Sequence, residues 1–136
     1  MADLHEQIQA ECENIKQVLA ELASANSLEK LSTLELAGVA TLIYNFYNGI
    51  ENILKQMLLH QGIKLPTGPS WHRELLDIAD SVNVISSSTL QELRKYLAFR
   101  HFFSHGYAFD LKVEIIKPLA QDADKVFESF QCDIKK

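Results

Sequence analysis

The sequence has few prolines and glycines, which interrupt helices, and few cysteines, which could cross-link them. Its 136 residues include only three prolines and five glycines, whereas helix-forming leucine, alanine, glutamate and lysine are plentiful. Long helices are therefore expected. The two cysteines, Cys12 and Cys132, form no CxxC pair and are expected to be reduced thiols on helices, although the sequence leaves open a disulfide between them.

Two kinds of segment are also missing. No apolar run approaches the roughly 20 residues that a membrane-spanning helix needs, and the N-terminus lacks the basic, apolar and small-residue succession of a secretory signal. We therefore expect a cytoplasmic protein with no membrane partner. The composition, with 47% apolar and 23% charged residues, is typical of one globular domain, here residues 1–136.

Positive charge is scarce overall. The formal net charge of −5 excludes a surface built throughout for nucleic acid, and no DNA partner is expected. A local basic stretch is nevertheless present between residues 88 and 107. Its charged side chains are Arg94, Lys95 and Arg100 against Glu92, with His101 and His105 in addition. The acidic excess therefore lies elsewhere in the chain.

The clearest positive signal is helical periodicity. Apolar residues recur every three or four positions in successive segments, and no alternating segment indicates a strand. The predicted helices cover residues 4–22, residues 34–61, a short segment from Trp71, residues 88–105 and a segment after Asp110. The fold class is therefore all-α, an up-and-down bundle of four or five helices with short connections.

Particular residues predict where these helices begin and end. Gly62 is placed to terminate the second helix, and Ser70 can cap the third. Ser88 begins a capping-box pattern for the fourth helix. Asp110 can cap the fifth, in which Pro118 is expected to produce a kink or a division.

The densest chemistry lies in the stretch FRHFFSHGYAF, residues 99–109. Arg100 and His105 are about 140° apart around an ideal helix, so they share no face in mid-helix. At a frayed last turn, before the permissive Gly106, their side chains can converge on one small ligand.

An arginine beside a histidine suits phosphodiester cleavage without a metal. The 2′-hydroxyl of RNA attacks the neighbouring phosphorus when a base removes its proton or an acid protonates the leaving oxygen, and histidine does either near neutral pH. Arginine can hold the phosphate by two hydrogen bonds. In the alternative interpretation, the phenylalanines pack in the core or at a subunit interface, and Arg100 and His105 are the solvated edge.

Two neighbours in the same stretch, His101 and Ser104, are candidates for lining a cleft around Arg100 and His105. His101 and His105 also have the four-residue spacing of zinc ligands. The segment HFFSH lacks the glutamate of a metalloprotease helix, however, and no third ligand is evident nearby. We therefore predict no metal and no cofactor.

The second helix carries a polar row that consists of Asn45, Tyr47, Asn48, Glu51 and Asn52. The preferred interpretation is a solvated face, with a weak ion pair between Glu51 and Lys55. In the alternative, Asn48 or Glu51 lines the cleft and orients the active-site residues. Trp71 and His72 are expected to anchor the preceding loop against the bundle.

Arg100, His105 and Tyr107 form an R-x4-H-x-Y pattern that resembles the signature of HEPN-domain toxins of the HepT type. Three longer blocks resemble successive parts of the same family, in the same order: YNGIENILK at 47–55, LPTGPSWHRELL at 65–76 and LQELRKYLAFRHFFSHGYAFDL at 90–111. The resemblance extends from the second helix into the fifth.

The resemblance implies a HEPN-like helical domain that forms a homodimer, with the Arg–His pairs of both copies in one cleft. It implies a metal-independent endoribonuclease toxin that acts on tRNA or other RNA, with Arg100 and His105 as the catalytic pair. An MNT-type nucleotidyltransferase antitoxin would neutralise it by transferring AMP to Tyr107. The alternative is a non-catalytic HEPN helical module that binds a nucleotide or a partner protein.

Overall fold

The computed structural model describes residues 3–23, 27–105 and 111–135, and within these ranges the chain is helical with no strand. The helices are α1 (Leu4–Ala23), α2 (Thr33–His60), α3 (Trp71–Ser81), α4 (Ser87–Ser104) and α5 (Val113–Ile134). A 3₁₀ turn at Leu28–Lys30 lies between α1 and α2. The all-α prediction is confirmed. In the described residues, no helix is both long enough and apolar enough to cross a membrane.

Helix α2 is the centre of the bundle, since it contacts each of the other four helices. Phe46, which has no exposed surface, lies at the middle of this packing. Its ring centroid is 5.2 Å from that of Tyr96 on α4 and 6.4 Å from that of Phe127 on α5. Edge-to-face contacts of this kind are favourable, so one aromatic cluster joins α2, α4 and α5.

The two ends of α2 have well-defined caps. At the start, the Glu35 amide donates to the Ser32 hydroxyl and the Ser32 amide donates to the Glu35 carboxylate, which is a capping box. At the end, Gly62 adopts a φ of 77°, and the amide of Ile63 donates to the carbonyl of Leu58 at 2.9 Å. This is a Schellman motif, and it confirms the predicted role of Gly62.

The predicted cap of α4 was wrong by two residues. The helix begins at Ser87, and the hydroxyl of Ser86 accepts the Thr89 amide at 3.2 Å. Ser86 is selected because its amide and hydroxyl also donate to the carboxylate of Asp133 on α5, at 3.0 and 3.1 Å. Ser88 therefore lies inside the first turn rather than at the cap.

The other predicted ends have mixed outcomes. Ser70 does precede α3, although its side chain makes no capping hydrogen bond. Helix α5 begins after Lys112, and Asp110, the predicted cap, lies outside the described residues. Pro118 does not divide α5, which is one helix; the proline falls in its second turn.

Helices α1 and α2 approach closely at Gly49. A Cβ atom added there would lie 2.7 Å from Cγ1 of Ile15, a side chain that is only 1% exposed. Gly38, in contrast, has open space around its Cα atom. Only a residue without a side chain thus permits α1 to pack at this distance.

We expect Gly49→Ala to lower the free energy of unfolding by about 1–3 kcal/mol, because the added methyl group overpacks the α1–α2 contact. The matched variant Gly38→Ala should raise it by up to about 1 kcal/mol, since alanine favours an open helical site. Urea unfolding monitored by circular dichroism measures both. Equal shifts in the two variants would contradict the packing argument.

Candidate active site at the end of the fourth helix

Arg100 lies in the last turns of α4 and is held from α2 by two side chains. Its Nε donates to Oδ1 of Asn48 at 2.9 Å, and its Nη2 donates to the hydroxyl of Tyr44 at 3.4 Å. The guanidinium carbon also lies 5.1 Å from the centroid of the Tyr44 ring. Since a guanidinium has five N–H groups, this half-buried cation is fixed in position and retains donors for an anion.

His105 is the C-cap residue of α4 and is exposed. Its Nδ1 lies 2.7 Å from the carbonyl oxygen of His101. A carbonyl can only accept, so Nδ1 carries the hydrogen, and in the neutral ring Nε2 is the basic nitrogen. The helix end thus fixes the tautomer of His105 and leaves Nε2 for proton transfer.

The two predicted cleft-lining residues of α4 lie beside His105. The rings of His101 and His105 have centroids 4.2 Å apart, and the hydroxyl of Ser104 donates to the same His101 carbonyl at 3.1 Å. Both side chains are exposed. Across the ranges that the structure describes, no group of three potential ligands is placed to hold a metal ion.

Within one chain, Arg100 and His105 take different partners. The arginine is drawn towards α2 by Asn48 and Tyr44, whereas the histidine turns back onto its own helix. In the described part of the chain, no hydrogen bond or ring contact joins the two. Helical geometry is retained up to Ser104, so the two side chains diverge as the mid-helix spacing predicted. The frayed last turn that was expected to let them converge is absent up to Ser104.

The prediction of a solvated polar face on α2 was wrong for Tyr47 and Glu51. Tyr47 has no exposed surface and Glu51 is only 3% exposed. Both carboxylate oxygens of Glu51 lie near Nδ1 of His72, at 2.8 and 3.0 Å. Lys55 does not pair with Glu51; its Nζ lies 4.3 Å from the centroid of the Trp71 ring. Trp71 and His72 therefore do anchor the loop, as predicted.

The hydroxyl of Tyr47 is buried among these charges. It makes no well-formed hydrogen bond within the described residues, although the Glu51 carboxylate is its near neighbour. Burial first, and then the negative charge of Glu51, raise the pKa of Tyr47 well above its usual range, while the positive charge of Arg100 acts in the opposite direction. Tyr47 is therefore a neutral group between a buried anion and the arginine of the site.

A model of one protein family, described as HepT-like protein, matches residues 38–136. The chain belongs to the HepT-like family. The match spans well over half of the sequence and includes Arg100 and His105. It confirms the resemblance to HepT-type HEPN domains. A search of curated proteins and a search of solved structures each found no significant match.

The matched segment begins inside α2 of this HepT-like chain and leaves out α1. Tyr44 and Asn48, which hold Arg100, both lie on the matched part of α2. Tyr107 lies within the match but outside the described residues, so its predicted modification stays a prediction.

Sequence reasoning missed Tyr44, the second residue that holds Arg100 in the HepT-like site. One signal for it was available. Tyr44 precedes Asn48 by four positions, so both side chains lie on one face of α2. An aromatic ring and an amide on one helix face suit a guanidinium, because it can stack on the ring and donate a hydrogen bond to the amide oxygen.

Proposed function

We propose that this HepT-type chain is a metal-independent endoribonuclease toxin that acts in the cytoplasm on tRNA or other RNA. Two copies would form a homodimer in which both Arg100–His105 pairs line one cleft. The observation that best supports the proposal is the half-buried guanidinium of Arg100, which Asn48 and Tyr44 hold at the helix end that also orients His105. A fixed cation and a histidine of defined tautomer are suited to phosphodiester cleavage.

In the proposed reaction, the 2′-hydroxyl of a ribose attacks the adjacent phosphorus. Nε2 of one His105 removes the hydroxyl proton, and Nε2–H of the other copy donates a proton to the departing 5′-oxygen. A bond from phosphorus to O2′ forms as the bond to O5′ breaks, which leaves a 2′,3′-cyclic phosphate and a 5′-hydroxyl. The free N–H groups of Arg100 stabilise the charge that develops on the phosphate oxygens.

A dimer would supply the second proton carrier that a single chain lacks. Within a protomer, Arg100 and His105 face different partners, so one pair offers a single proton carrier. An isologous contact across a two-fold axis would supply a second histidine and a second arginine. The proposed reaction uses both a base and an acid, which two copies of His105 would provide.

The test is incubation of the purified protein with tRNA in excess EDTA, followed by analysis of the fragment ends. We expect cleavage to persist in EDTA and to yield 2′,3′-cyclic phosphate and 5′-hydroxyl ends. Cleavage that stops in EDTA would exclude the metal-free mechanism. Intact RNA together with measurable nucleotide binding would favour the alternative, a non-catalytic binding module.

We further propose that the partner is an MNT-type nucleotidyltransferase antitoxin that transfers AMP to Tyr107. The modification would place a bulky, negatively charged group two residues from His105, where it would exclude and repel an anionic substrate. Tyr107→Phe is expected to remain active in the presence of this antitoxin and ATP, whereas wild type is silenced. Mass spectrometry locates the AMP, and its detection on another residue would contradict the assignment.

Asn48 is the positioning residue for Arg100 in this proposal. Asn48→Ala removes the acceptor of the Arg100 Nε–H, and a hydrogen bond to a charged group contributes about 1.5–3 kcal/mol. We expect cleavage to slow by about 10- to 100-fold. Asn48→Asp retains the acceptor and should recover most of the rate, which a purely structural role would not require. Similar rates in both variants would count against this role.

A further inference from the structure

A groove of about 580 Å³ lies between α1 and α2. Asn48, which holds Arg100, is one of its lining residues. Its lining includes five side-chain amides, two carboxylates and the apolar side chains of Ile15, Val18 and Leu42. No lysine, arginine or histidine is among the lining residues. We refer to it as the amide groove. Its volume is in the range of sites that bind small molecules.

We propose that the amide groove is a subsite for a guanine base of the RNA substrate, an inference that rests on the proposed endoribonuclease function. The carboxylate of Glu11 would accept hydrogen bonds from the Watson–Crick edge of the base. The neighbouring amides would contact its remaining polar atoms, and the apolar side chains would contact its ring faces.

The groove and the catalytic arginine are connected by one residue. Asn48 lines the groove, and its side chain also accepts the hydrogen bond from Arg100. Asn52, one helical turn further, donates to Oε1 of Glu11 at 3.5 Å across the α1–α2 contact. A polar row thus leads from α4 over α2 to α1. A nucleotide whose phosphate binds Arg100 can place its base along this row.

The charge of the groove favours a base over a phosphate. The carboxylate of Glu11 lines it, and no lysine, arginine or histidine is among the lining residues. The negative charge of this carboxylate would repel a phosphate, which would bind Arg100 instead. Carboxamides both donate and accept, and proteins read the edges of unpaired bases with such groups.

The half-buried carboxylate of Glu11 points to guanine in particular. Guanine is the only common base with two adjacent donors on its Watson–Crick edge, N1–H and the N2 amino group, and a carboxylate can accept both. Adenine, cytosine and uracil each place an acceptor beside their donor, which a carboxylate repels. Other side-chain amides of the lining, such as that of Asn52, can donate to the O6 and N7 atoms of guanine.

The test measures nucleotide binding and needs no cleavage. Guanosine 3′- and 5′-monophosphates and the matching adenosine nucleotides are titrated calorimetrically into the His105→Ala protein. We expect at least one guanosine nucleotide to bind about 10-fold or more tightly than its adenosine counterpart. Inosine monophosphate, which lacks the N2 amino group, should bind less tightly than the guanosine nucleotide.

Glu11→Gln is the decisive variant, because glutamine keeps the shape of the side chain and loses the charge. It should weaken guanosine binding by about 10-fold and leave adenosine binding unchanged. Glu13→Gln, an exposed position on α1 outside the groove lining, is the matched control and should change neither. Asn52→Ala, which removes the donor to Glu11, should give a smaller loss and serves as a second variant.

Several outcomes would overturn the inference. These are equal binding of guanosine and adenosine nucleotides, no binding of either, and unchanged guanosine binding in both Glu11→Gln and Asn52→Ala. Loss of antitoxin binding in Glu11→Gln, with guanosine binding unchanged, would identify the groove as a protein-docking surface instead. If guanosine binds selectively but no RNA is cut, the subsite stands and the endoribonuclease proposal fails.

Discussion

Replacement of His105 by alanine is expected to slow RNA cleavage by about 100- to 10,000-fold, the usual contribution of a general acid or base. The effect should be large because both proton transfers of the proposed reaction pass through Nε2 of this residue. Folding should change little, since the His105 side chain is exposed and, among the residues that the structure describes, it contacts His101 on its own helix. RNA binding should persist, because Arg100 keeps its contacts with α2.

The measurement is the initial rate of cleavage of a labelled tRNA in EDTA, with the thermal unfolding curve of each variant recorded in parallel. His60→Ala is the matched control, because His60 is also an exposed histidine near a helix end but lies on α2. Equal rates for wild type and His105→Ala would remove the histidine from the mechanism. A lower rate accompanied by an early unfolding transition would assign the loss to folding instead.

The second large effect concerns stability. Replacing His72 by alanine is expected to lower the free energy of unfolding by about 3 kcal/mol, because it leaves a buried carboxylate without its partner. Glu51 is 3% exposed, and Nδ1 of His72 lies 2.8 Å from its carboxylate. The same change removes a link between α2 and the start of α3, so the loop before Trp71 should lose protection from hydrogen exchange.

A double variant isolates the cause. Glu51→Leu combined with His72→Leu replaces both partners of the hydrogen bond by apolar side chains, and such paired replacements can be nearly neutral. We therefore expect the double variant to unfold at a higher urea concentration than His72→Ala. If the double variant is no more stable than the single one, the cost arises from lost packing of the imidazole rather than from the unpaired carboxylate.

Helix positions were predictable because each helix shows its buried face in the local spacing of apolar residues. The predicted bounds of α1 and α2 agree with the structure to within one residue. Gly62 was equally predictable, since a glycine that follows a long apolar period is the common way to end a helix. These features depend on residues that lie within one or two turns of each other.

Other features depend on distant partners and could not be found in this way. Three serines stand in a row at 86–88, and the local capping-box pattern favours Ser88. The cap is nevertheless Ser86, because Asp133, 47 positions later, binds it. The local pattern predicts that Glu51 is exposed to solvent. Glu51 is buried instead, because a hydrogen bond from His72 on another helix offsets the cost of burying its carboxylate. The hydrogen bond between Arg100 and Asn48 joins residues 52 positions apart, and the sequence pattern predicted an orienting role for Asn48 only as an alternative.

The glycine contact between α1 and α2 has a consequence for how this protein could diversify. Helix α1 packs on α2 at Gly49, supplies one wall of the amide groove, and lies outside the segment that the HepT-like family model matches. Substitutions on that wall therefore leave Arg100, His105 and their supports untouched. Substitutions on α1 could therefore alter the proposed base subsite while the proposed catalytic residues, Arg100 and His105, stay the same.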